Sequence, residues 1–241
     1  VTNLFKLGLV GEQFKVIEGS VIDYTFPESG ELTVHGLKNS RVSFQLLLQS
    51  DEEFLLAISA NPAFWKKGPI NTLRTEVALA GIETEQLIVG LMEDDDRQLK
   101  ADPLLHQETI HVPAWQKQAV WIEAKLPENL PAGEYTGKVR VFSHSMFEDE
   151  TLAGELPFSI HVHDVTMPKE RIFYLDLWQH CANIARKHEV TLWSDEHFQI
   201  LEGYVESLAT LGQKAISVIA SEIPWSGQRT FQDRLCDSDL F

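Results

Sequence analysis

LPFSIHVHDVTMPKERIFYLDLWQH, residues 156–180, changes period half-way along, and that change decides the fold. As far as Val165 it alternates. Phe158, Ile160 and Val162 fall on one face and Ser159, His161 and His163 on the other, the mark of a half-buried strand. Beyond TMPKER (166–171) the run IFYLDL (172–177) is mostly apolar without alternation, as a strand covered on both faces reads.

Working back from this point, RVSFQLLLQS (41–50) is apolar at Val42, Phe44, Leu46 and Leu48, and AVWIEAKL (119–126) and GKVRVFSH (137–144) repeat the style. Turn signals separate them at Pro27–Gly30, Asn61-Pro62 and Pro131-Ala132-Gly133. Many short alternating strands at this spacing predict an antiparallel β-sandwich over residues 1–167.

Working forward, residues 178–194 read as a long connection. SDEHFQILEGYVESLATLG (194–212) predicts a helix with marked ends. Ser194 is the N-cap, Asp195 and Glu196 complement the helix dipole, and Gly212 suits the left-handed C-terminal cap. Phe198, Leu201, Val205 and Leu208, with Tyr204 and Leu211 alongside, form one apolar face. KAISVIASEIPW (214–225) is a second continuous apolar strand. Residues 168–241 therefore read as one β–α–β unit with parallel strands and a right-handed crossover. One helix cannot cover both faces of a parallel pair. The unit thus reads as the first β–α–β of an incomplete, truncated (β/α)8 barrel, a fold that takes roughly 200 residues or more. An unpaired strand edge drives self-association, so a homodimer through the exposed barrel edge is expected.

The chain has 241 residues, 44% hydrophobic and 23% charged, an ordinary globular mix. Its net charge of -16 argues against nucleic acid and against an anionic membrane as partners, because phosphates need a cationic face. The acidic runs Asp51–Glu53, Glu93–Asp96 and Glu148–Glu150 lack the spacing of a calcium loop and read as solvated turns. Cys181 and Cys236 offer neither a disulfide framework nor a metal pair, which suits reduced thiols and the cytoplasm. The chain opens at Val1 with no signal segment, so its N-terminus reads as cut or processed, and a removed signal peptide remains compatible with that. His161-x-His163-Asp164 has a chelating spacing, but no third ligand is visible near it. The outward face of a strand explains the pair more cheaply, so no metal is expected. No nucleophile elbow, dinucleotide fingerprint or P-loop occurs, and no cofactor is expected.

NSRVSFQLLL (39–48), VWIEAKLPENLPAGEYTGKVRV (120–141), FYLDLWQH (173–180), LWSDEHFQILEGYVESLATLGQKAIS (192–217) and IPWSGQ (223–228) together resemble glycoside hydrolase family 123-like proteins (domain of unknown function 4091). The helix start LWSDEHF and the strand start GQK are the more specific of these elements; PAGEYTG is common to many sandwiches. The resemblance implies a β-sandwich followed by a (β/α)8 catalytic barrel. It also implies hydrolysis, with retention, of terminal N-acetylgalactosaminides, the substrate's acetamido group acting as nucleophile. An adjacent Asp-Glu pair on a barrel strand orients that group and acts as acid/base. Asp51-Glu52, Asp149-Glu150 and Asp195-Glu196 are adjacent pairs, but none stands at the end of a predicted barrel strand, so no catalytic residue is assigned. The chain is accordingly expected to be the N-terminal part of an N-acetylhexosaminidase-like glycoside hydrolase, inactive alone because that pair lies beyond its end.

Barrel sites lie at the C-terminal ends of strands. There this sequence has Trp178, Gln179 and His180, then Glu222 and Trp225. Aromatic faces stack on sugars and amides, imidazoles and carboxylates bond hydroxyls, so these five are the candidate substrate-binding residues for an N-acetylated glycoside. The plainer reading packs both tryptophans on the barrel rim and leaves Glu222 solvated. Asp176 falls inside the first strand, where a buried carboxylate must be paired, and is expected to be structural. The competing function is a non-catalytic carbohydrate-binding or protein-interaction sandwich, with Trp65 and Trp115 exposed as a sugar platform and Trp121 in the core.

Overall fold

A computed structural model describes residues 5–18, 31–58, 71–144, 149–170 and 172–216. The chain divides into two compact units, 1–167 and 168–241.

Among the described residues the first unit is a mostly β structure of two sheets. Its strands are β1 Phe5–Gly11, β2 Leu32–Lys38, β3 Ser40–Ser50, β4 Phe54–Ala57, β5 Asn71–Leu79, β6 Thr84–Glu93, β7 Leu99–Leu105, β8 Thr109–Val112, β9 Gln118–Leu126, β10 Gly133–His144 and β11 Thr151–Thr166. One sheet runs β1-β3-β9-β6-β7 and the other β2-β11-β10-β5-β4-β8. The expected wholly antiparallel pairing is corrected in two places: β2 lies parallel to β11, and β4 parallel to β5. Local alternation shows which face a residue takes but not the direction of its partner strand, which long connections set.

Phe44, Leu46 and Leu48 of β3, Val120, Ile122 and Ala124 of β9, Val139 and Val141 of β10 and Phe158, Ile160 and Val162 of β11 meet in the main core. The alternation of β3 is broken because its second face is covered as well. Leu47 packs with Val16, Val89, Ala101 and Ala119, and the buried Gln45 amide donates to the Glu12 and Phe14 carbonyls at 3.1 and 2.7 Å. The Pro131–Tyr135 turn is closed by the tyrosine itself, whose hydroxyl donates to the Pro131 carbonyl at 2.8 Å.

Among the described residues the second unit holds two helices, α1 Cys181–Lys187 and α2 Asp195–Thr210. The reading of 178–194 as mere connection is corrected by α1. Ala182 and Ala185 favour helix, and Arg186 and Lys187 suit its C-terminal dipole, but no side chain caps its start at His180. α2 follows its sequence signals. Ser194 accepts a hydrogen bond from the His197 N–H at 3.2 Å, and Trp193 stacks near Phe198 (6.0 Å) as a hydrophobic staple. At the other end Gly212 takes φ +91°, and the N–H groups of Gly212 and Gln213 bond the Ala209 and Leu208 carbonyls, a Schellman cap.

The apolar face of α2 is not buried as expected. Phe198, Tyr204 and Leu211 are exposed, and among the described residues the one side chain that α2 buries fully is His197. Its Nδ1 accepts from the Trp193 N–H at 3.0 Å and its Nε2 lies 3.0 Å from the Cys181 carbonyl, so the tautomer serving both bonds carries its proton on Nε2. The ring thus ties the start of α2 to the start of α1, while His188 Nε2 and the Tyr204 hydroxyl, 2.9 Å apart, tie the other end of α1. His197→Ala should cost this unit about 2–4 kcal/mol, since it orphans two backbone groups and opens a cavity. Hydrogen exchange over residues 181–210 reads the loss directly, and unchanged protection there would refute it.

Candidate functional site

The expected first barrel strand, 172–177, is reduced to a single bridge. Leu175 pairs in parallel with Gln213, and the Lys214 N–H donates to the Leu175 carbonyl at 3.0 Å. Ile172 is 97% exposed and Phe173 and Tyr174 are exposed too, so the two-sided burial read from the run does not occur. Asp176 is exposed with them, which corrects the expectation that its carboxylate is buried. The expected second strand, 214–225, lies beyond residue 216 for most of its length and so outside the described residues, as do Glu222, Trp225, Trp65 and Cys236.

Three of the five candidate residues are therefore placed. Trp178, Gln179 and His180 follow the Leu175 bridge and lead into α1, with Trp178 66% exposed and His180 as the N-cap residue. Gln179 Nε2 reaches Gln213 Oε1 at 3.4 Å, and Gln213 Nε2 in turn donates to the Leu177 carbonyl at 3.2 Å. The amide of Gln213 thus holds the segment 177–179, a role that alternation and capping rules do not reveal. Gln179 Oε1 is buried without a hydrogen-bond partner among the described residues, which leaves an acceptor available. Burial pushes the thiol of Cys181, next in line, up, away from thiolate. A cavity of about 380 Å³ in this unit is lined by Val205, Leu208, Gln213 and Ala215 and includes none of the three candidates.

The acidic pairs fall where their sequence context put them. Asp51 and Glu52 are in the turn after β3, Asp149 and Glu150 precede β11, and Asp195 and Glu196 form the first turn of α2. In the first unit Trp115 is 66% exposed on the turn before β9, at φ +66°, its N–H bonded to the Ser50 carbonyl and its carbonyl to Gln49 Nε2, both 2.7 Å. Trp121 is half-buried against the smaller core cluster.

Residues 25–143 match the model of the glycoside hydrolase 123 N-terminal domain, and residues 178–238 that of the glycoside hydrolase 123 catalytic domain. The chain belongs to glycoside hydrolase family 123. The catalytic-domain match starts at Trp178 and takes in all five candidate residues. A family 123 glycoside hydrolase from Clostridium perfringens, whose structure was used to detail glycolipid glycan hydrolysis, is similar in fold, with a TM-score of 0.64 at 14% identity over 88% of this chain. The chain spans 37% of that enzyme. BcpA, the major pilin subunit of Bacillus cereus, follows at TM-score 0.30 and 9% identity over 65% of this chain and 40% of its own. WR4, a C. elegans MSP family member, is at 0.29 and 11% over 54% and 92%. These last two likenesses are too low to carry an argument. A search of curated proteins finds no match.

Proposed function

We propose that this chain is part of a retaining N-acetylhexosaminidase, in which Trp178, Gln179, His180, Glu222 and Trp225 line one side of the sugar site. The start of the catalytic-domain match at Trp178, directly after the Leu175–Gln213 bridge, carries the reading. In it the bridge belongs to the first two strands of a (β/α)8 barrel, and Trp178 sits at the strand's C-terminal end, where barrel enzymes bind substrate. The exposed indole supplies a stacking face, and the unpartnered Gln179 Oε1 an acceptor for a sugar hydroxyl or acetamido N–H. The exposed face of α2 is then the surface on which further barrel elements pack. In this reading the acid/base pair is contributed from outside the 241 residues, because none of the adjacent Asp-Glu pairs among them stands at the C-terminal end of a barrel strand; Asp195-Glu196 opens α2 instead.

The test compares the 241-residue chain with a family-length protein on chromogenic N-acetylgalactosaminide and N-acetylglucosaminide. Turnover is expected from the longer protein alone, and Trp178→Ala in it should raise KM about tenfold or more. Turnover by the 241 residues would refute the division of the site. The locked, exposed Trp115 favours a second reading, a sugar-binding sandwich. Glycan binding by the 241 residues that Trp115→Ala abolishes would support it.

A further inference from the structure

We propose that the outer face of the β2–β11 edge binds a divalent transition metal, of the zinc or nickel kind, through His35, His163 and His161. The proposal does not rest on the reading given for the sugar site. β2 lies at the edge of its sheet and pairs in parallel with β11, with His35 opposite His161 and Leu37 opposite His163. Side chains alternate along each strand, so His161 and His163 share one face, and the parallel register brings His35 onto it. Three of the chain's nine histidines thus meet on one small patch. The ring centroids of His161 and His163 are 4.7 Å apart, and each lies 5.4 Å from that of His35.

The spacing of the nitrogens points to metal rather than to a merely solvated face. His35 Nδ1 and His163 Nε2 are 3.2 Å apart. Two nitrogens bound to one tetrahedral zinc at about 2.0–2.1 Å lie about 3.3–3.4 Å from each other, so this pair already has the separation of two ligands. Without metal the same two atoms share a hydrogen bond. No group of three potential ligands converges as placed among the described residues, so the third imidazole must turn in. His161 is half-buried at the rim and its ring is already against both others; a change of rotamer is the small motion required. Three imidazoles plus water make a set suited to zinc or nickel. Glu134, opposite His161 on β10 and exposed, is the carboxylate the register places nearest. Asp164 is not a further ligand, because strand alternation turns it to the face opposite His163 and Lys38 holds its carboxylate.

The experiment titrates the chelator-treated 241-residue chain with zinc and with nickel, following heat of binding and melting temperature. One equivalent should bind, and metal should raise Tm, since a ligand of the native state stabilises it. His35→Ala and His163→Ala should each weaken binding about tenfold or more, and His161→Ala likewise, each with loss of the Tm shift. His111→Ala, which alters a surface imidazole paired with Glu53, should leave both unchanged. Absence of binding, or binding that survives all three substitutions, overturns the proposal.

Discussion

Arg74→Ala should destabilise the sandwich by about 3–5 kcal/mol, seen as a lower urea midpoint at unchanged slope. Arg74 stands on β5, nearly buried, in the most complete ion-pair arrangement among the described residues. Its Nε and Nη2 donate to the two oxygens of Glu150 at 2.9 and 3.1 Å, and Nη1 donates to Glu76 at 3.0 Å. The guanidinium carbon lies 4.1 Å from the centre of the Phe142 ring, on the neighbouring strand β10. The Glu150 hydrogen bonds push the Arg74 pKa up, so the charge is present throughout the working range. The large expected loss does not mean that the pair is worth that much. Removing the cation leaves Glu150 partly buried without its counter-charge, and that desolvated carboxylate is the main cost. Arg74→Lys keeps the charge but loses the fork and the planar stacking, and should fall between the wild type and Arg74→Ala. Replacing both Arg74 and Glu150 by Met should recover most of the loss, since two apolar side chains leave no orphaned charge. A change below 1 kcal/mol for Arg74→Ala would overturn this account.

The sandwich was legible in the sequence wherever one face of a strand meets water. β10 and β11 alternate because their outer faces are largely solvated, and their inner residues are those that the alternation marks. Legibility failed where burial came from distant segments. Leu47 and Gln45 are covered by residues 12–16, which no local period announces. His35 was not grouped with His161 and His163 because more than a hundred residues separate them and only the parallel β2–β11 pairing joins them. In the second unit the ends of α2 were readable from Ser194 and Gly212, because caps are local chemistry. α1 was not, because it is seven residues long and its start has no capping side chain. The apolar character of Ile172–Leu177 was real, but apolarity states a demand for cover and does not say what meets it. Trp178, Gln179 and His180 are legible as a barrel strand end, whereas the hold of Gln213 on their segment depends on a tertiary hydrogen bond that no local pattern encodes.

The second large effect lies in the main core and separates two kinds of crowding. Phe158→Ala should cost about 3–5 kcal/mol, because the ring is buried, packs tilted against Phe44 with centroids 4.7 Å apart, and would leave a cavity between the sheets. Gly137, directly opposite on β10, is the residue that makes room for that ring. A methyl group there would run into Phe158 Cζ, lie 2.8 Å from its Cε1, and stand 3.0 Å from the Ala78 carbonyl oxygen. Gly137→Ala alone should therefore cost about 1–3 kcal/mol by overpacking. In the double variant the new methyl enters space the ring has vacated, so the two losses should not add. The shortfall should be about 1–2 kcal/mol, the coupling expected of residues in contact. It should not reach the whole cost of Gly137→Ala, because the Ala78 carbonyl is backbone and stays where the β5–β10 ladder holds it. Urea unfolding of the two single variants and the double closes the cycle. Simple additivity would show that Gly137 is required by the backbone alone, and full suppression that only the Phe158 ring requires it.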